Sequence, residues 1–116
     1  MREALYVVEF GDVSVPGTYR NGGVAVLETG RVFGGDSGFY YLGEFQSTNG
    51  TVTATIDVTQ HNPLIQNAWG NGATNFKLQM RGEVQGQNLV GTMTLAGSSL
   101  SLPIRLSWKA DLPNPR

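Results

Sequence analysis

The chain has one histidine, His61, and one glycine-flanked serine turn, Gly35–Asp36–Ser37–Gly38. These residues invite the first chemical reading. A serine nucleophile needs G-x-S-x-G spacing on a strand-to-helix elbow. Ser37 lacks that spacing, and Asp, Ser and Gly are residues that a turn uses for its own backbone. As a metal ligand His61 would need oxygen partners such as Asp57, and no ligand spacing accompanies it. The carboxylates Glu9, Glu28, Glu44, Asp57 and Glu83 mostly fall on the polar side of their segments, so no inward acid/base pair is expected. Gly34–Gly35 does not open a helix and so makes no phosphate cradle. The expectation is a chain that is not an enzyme, with no cofactor and no metal.

Enclosure of an apolar molecule is the other chemistry these residue types allow. Tyr6, Val8, Phe39, Tyr41, Ile56, Leu78, Met80, Met93, Ile104 and Trp108 all fall where they can point into one interior. Phe10, Phe45 and Phe76 can join them. Such residues either fill a core or line a cavity for a small apolar ligand or lipid. Both readings stay open at this point.

The elements that would hold these side chains repeat with period two. In 51–59, Val52, Ala54, Ile56 and Val58 alternate with Thr51, Thr53, Thr55, Asp57 and Thr59, as only a half-buried strand requires. Phe76–Gln85 reads likewise, with Phe76, Leu78, Met80 and Val84 inward. Leu89, Met93 and Leu95 form another inward set, and Leu100, Leu102, Ile104, Leu106 and Trp108 a further one. Ala4, Tyr6, Val8 and Phe10 share a face of 3–10; 23–28, 31–34 and 38–46 supply the rest. Hairpin signals lie at Thr29–Gly30, Asn49–Gly50, Gly86–Gln87–Asn88 and Gly97–Ser98.

Eight strands joined by tight turns predict an all-β, antiparallel, up-and-down β-barrel of lipocalin type, with a two-sheet sandwich as the competitor. Glycines at the inward positions 43, 82 and 91 suit the bends of a barrel. Pro103 cannot donate to a ladder, which predicts a bulge or imperfect closure near it. One segment, 61–75, breaks the alternation. Asn62, Pro63 and Gly70 are placed as cap, first residue and stop of a short helix bearing Leu64, Ile65, Ala68 and Trp69 on one stripe. That helix is expected to plug the barrel or to form a partner-contact surface through Leu64, Ile65 and Trp69.

With 116 residues the chain is expected to form one domain over 1–110, followed by a flexible tail over 111–116. Its net charge of −1 gives no electrostatic footprint for nucleic acid. It contains no cysteine, which fits a reducing compartment. The apolar run from Ala4 to Val8 is too short for a signal peptide or a membrane span. A cytoplasmic protein with no membrane span is expected.

The stretch Asn21–Gly22–Gly23–Val24–Ala25–Val26, followed by Arg31–Val32–Phe33–Gly34–Gly35–Asp36–Ser37–Gly38–Phe39–Tyr40–Tyr41–Leu42–Gly43, resembles the GrlR family of negative regulators of type III secretion genes. Its motif here is Gly34, Gly35 and Asp36, with Tyr41 two residues before Gly43. The resemblance implies a dimeric, lipocalin-like barrel that regulates transcription by binding a regulatory protein partner. The family's acidic loop after this motif reads Gln46–Ser47–Thr48–Asn49–Gly50 in this chain, so the electrostatic grip on a basic activator is not carried over.

Overall fold

The computed structural model describes residues 1–15 and 17–114. The strands are β1 (Ala4–Phe10), β2 (Asn21–Glu28), β3 (Arg31–Gly35), β4 (Phe39–Thr48), β5 (Thr51–Gln60), β6 (Asn75–Gln85), β7 (Asn88–Leu95) and β8 (Ser101–Ala110). Each pairs antiparallel with its sequence neighbour, and β8 pairs back onto β1, so the sheet closes into a barrel. Closure decides against the sandwich, because a closed ladder leaves no edge strand.

Turn chemistry explains the connections. Thr29–Gly30 and Asn49–Gly50 both place two successive residues at positive φ, 53° and 73° in the first and 52° and 82° in the second. That twist matches the flanking strands, and glycine at the second position adopts it without steric cost. The period-two faces then fall as the pattern requires. Ala4, Tyr6 and Val8 of β1, Val52, Ala54 and Val58 of β5, and Leu102, Ile104 and Leu106 of β8 are all buried.

Three expectations need correction. Among the described residues no helix forms, and 61–74 is an irregular loop. Its asparagines compete with a helical backbone. Asn62 Oδ1 accepts from Leu64 N, Asn67 Oδ1 accepts from Trp69 N, and Asn71 Oδ1 accepts from Ala73 N. Second, the ladder irregularity lies not at Pro103 but between Leu5 and Tyr6, where β1 passes from Ala110 to Trp108 across β8. Pro103 instead accepts from Gly11 N through its carbonyl at 3.0 Å, a bond that needs no N–H of its own. Third, Leu100 is exposed, because β8 begins only at Ser101. The strands end at Ala110, and residues 111–114 carry no regular structure; 115–116 of the expected tail lie outside the described residues.

Candidate functional site: an apolar cavity at one end of the barrel

The interior is not filled along its length. Toward one end, Tyr6 and Trp108 face each other across β1 and β8, and Leu89 faces Leu106 across β7 and β8. Tyr6 and Leu89 are fully buried, and the Tyr6 hydroxyl donates to the Arg2 carbonyl. Arg2 also lies over the Trp108 ring, 5.2 Å from its centroid. From the other end, where β3 turns into β4 and the 61–74 loop crosses, a cavity of about 320 Å³ runs inward as far as Leu27 and Val52.

Of the residues expected to point inward, Val8, Phe39, Tyr41, Ile56, Leu78, Met80, Met93 and Ile104 line this cavity. Tyr6 and Trp108 do not. They belong to the packed end, where they pair across β1 and β8 and both engage Arg2, Trp108 through its ring and Tyr6 through its hydroxyl. Ala25, Leu27, Val32, Val52, Ala54 and Leu106 also line it, and their inward alternation was the available signal. Small residues such as Ala25 and Ala54 leave the space that the aromatics elsewhere fill.

The mouth is built from loops. Asp36 organises the β3–β4 turn: its Oδ1 accepts from Gly38 N and Phe39 N, both at 2.8 Å, and its Oδ2 accepts from the Tyr41 hydroxyl. His61 N donates to Gly38 O at 2.8 Å, and His61 Nε2 lies 2.9 Å from Asp36 O. These bonds dock the 61–74 loop onto the turn. Val13 N donates to Ala68 O at 3.0 Å and ties the same loop to the β1–β2 connection. Asn67, 9% exposed, is the hub: its Nδ2 donates to Asn71 Oδ1 and Ala73 O while its Oδ1 holds Trp69 N. Ser37 is exposed at the tip of its turn.

Of the three residues expected at a partner contact, two are turned inward. Trp69 is only 4% exposed and lines the cavity, and Ile65 is half-buried and lines it too. Leu64 alone is open, at 87%. In the motif that carries the family resemblance, Gly34 and Gly43 sit where a Cβ would strike Val24 O and Thr55 O across the ladder, at 2.1 and 2.3 Å. A Cβ on Gly35 would lie 2.9 Å from Phe39 O. Asp36 and Tyr41 form the mouth hydrogen bond.

The Tyr41 environment has a consequence at high pH. Burial, then the hydrogen bond to Asp36 and its negative charge, push the phenol far above its ordinary 10.0. Burial also raises Tyr6, opposed by Arg2. A raised pKa contributes stability that is intact below 10 and is lost as pH climbs through the folded value. Absorbance at 295 nm followed with pH is therefore expected to show Tyr6 and Tyr41 ionising only together with loss of the barrel's circular dichroism. Tyr41→Phe is expected to cost about 1 kcal/mol at neutral pH, with the gap to wild type narrowing above pH 10. Ionisation of both phenols in a folded barrel would contradict the geometry.

A closed eight-stranded up-and-down barrel around an apolar cavity places the chain in the architectural class that lipocalins exemplify. No protein-family model matches the chain, and no curated protein resembles it closely enough to be called a relative.

Proposed function

We propose that the protein is a non-enzymatic binding module, a carrier or sensor that holds one small apolar molecule in the barrel. The cavity carries this reading. About 320 Å³ lined by Phe39, Ile56, Leu78, Met80, Met93 and Ile104 lies within the range of small-molecule sites, and such walls reward transfer of apolar surface from water. Asp36, Tyr41 and Asn67 at the mouth are tied up in holding loops, which supports binding rather than catalysis. The cysteine-free composition supports a reducing, cytoplasmic setting. No helix among the described residues is long and apolar enough to cross a membrane.

Calorimetric titration with decan-1-ol checks the reading. One saturable site is expected, and Ala54→Phe, which projects a ring into the cavity, should weaken it at least about tenfold, as a misfit of a methylene or more does in an apolar pocket. No saturable site, or equal binding by the folded variant, would contradict it.

A second reading rests on the outer wall. Val24 and Leu42 are 48% and 51% exposed, and Tyr40 is also exposed. Through Val7↔Val24, Leu5↔Val26, Val26↔Phe33 and Phe33↔Leu42 these residues join into one apolar band across β1–β4. The outer face of β5 and β6 instead carries Thr53, Thr55, Asp57, Lys77, Gln79 and Arg81. A continuous apolar band on one wall favours protein contact. It supports a GrlR-like homodimer that regulates transcription, in the manner of type III secretion control, through a protein partner. Sedimentation equilibrium at twice the chain mass, reverting to a monomer with Leu42→Arg, is the expected result. A wild-type monomer would remove this reading.

A further inference from the structure

Resting on the cavity as a ligand site, we propose that its ligand is a single-chain amphiphile with an anionic head, and that Arg20 at the mouth receives that head. Among the cavity-lining residues only Arg20, Asp36 and Tyr41 can carry charge. Asp36 is spent: its two oxygens already accept from Gly38 N, Phe39 N and the Tyr41 hydroxyl. It therefore has little left to offer a cationic head. The Tyr41 hydroxyl already donates its one hydrogen bond to Asp36.

Arg20 is in the opposite condition. Its backbone N donates to Phe10 O at 3.0 Å, which fixes the residue at the end of the barrel just before β2 begins. Its side chain is exposed and joins none of the ion pairs among the described residues, which are Arg2–Asp111, Lys77–Asp57 and Arg105–Glu9. Asp12, whose carboxyl is held low by its hydrogen bonds from Ser14 and in smaller part by the charge of Arg20, lies near without closing an ion pair, so the guanidinium still presents five donors in a planar fork that matches a carboxylate or phosphate. Beneath it lies an apolar lumen, with Phe10, Phe39 and Ile104 on its walls. A molecule entering tail-first leaves its head at the mouth, in reach of water and of Arg20.

The volume bounds the tail. At about 30 Å³ for each water-sized unit, the 320 Å³ cavity takes a chain of roughly ten heavy atoms.

Decanoate, decan-1-ol and decyltrimethylammonium, titrated at low salt into wild type and Arg20→Gln, separate head from tail. Wild type is expected to bind decanoate about tenfold tighter than the alcohol, the worth of one charge-assisted pair. Arg20→Gln should erase that preference while leaving the affinity for the alcohol unchanged. Equal affinity for acid and alcohol in wild type, a preference that survives in Arg20→Gln, or tightest binding of the cation would overturn the inference and leave the cavity standing. Binding of none of the three would overturn both the inference and the cavity reading beneath it.

Discussion

Gly91→Ala should unfold at a markedly lower urea concentration than wild type, with a loss of about 3 kcal/mol and an unchanged dependence on denaturant. The reason is local. Gly91 faces Gly82 directly across β6 and β7, and a Cβ on it would lie 2.1 Å from Arg81 O and 2.5 Å from Gly82 Cα. Both neighbours are backbone, so no side-chain rotation relieves the clash and the strands must part. Against a total stability of about 5–15 kcal/mol for a domain, that is a large share. Val90→Thr, one residue away on the outer wall, should stay within about 0.5 kcal/mol of wild type. A wild-type midpoint for Gly91→Ala would mean that the β6–β7 ladder is looser than described.

The same geometry decides how the cavity can be filled. From the sequence, Gly91→Leu and Ala54→Phe look like equivalent ways to enlarge an interior residue. They are not equivalent, because Gly91 faces backbone whereas Ala54 lines open space. Only the second reports on ligand binding without breaking the sheet.

Trp69→Ala carries the other large effect, an expected loss of about 3–5 kcal/mol, as for a buried tryptophan replaced by alanine. Trp69 is held over the cavity by Asn67, and removing its ring opens the mouth and unpacks the loop together. Thermal unfolding should show the loss with no partner present. Leu64→Ser, on the same loop but 87% exposed, should leave stability unchanged. Equal midpoints for Trp69→Ala and wild type would show that the ring lies in solvent and restore it as a surface contact.

The inward and outward faces of the strands are legible because alternation is a local property. Val52 to Val58 and Phe76 to Val84 need no distant information to fix which face is buried. The loop over 61–74 is not legible, for the opposite reason. Asn62, Pro63 and the Leu64–Trp69 spacing satisfy a helix template, but the outcome is set by bonds that Asn67 and Asn71 make within the loop and by its docking on Gly38 and Val13. The cavity was only half legible. Which residues point inward follows from the pattern, but the void depends on where Tyr6 and Trp108 pair across β1 and β8 and where Ala25 and Ala54 do not fill. Arg20 gave no signal, since it stands outside any alternating run and matters only by its place at the mouth.

The central claim is that an apolar molecule sits inside the barrel and not on its outer wall. Nuclear Overhauser contacts between decan-1-ol and methyl-labelled protein test it most directly. The account predicts contacts to the methyls of Ile56, Leu78, Met80, Met93 and Ile104, all on the cavity wall. Contacts confined to Val24, Val26 and Leu42 would place the molecule on the exposed band and contradict it.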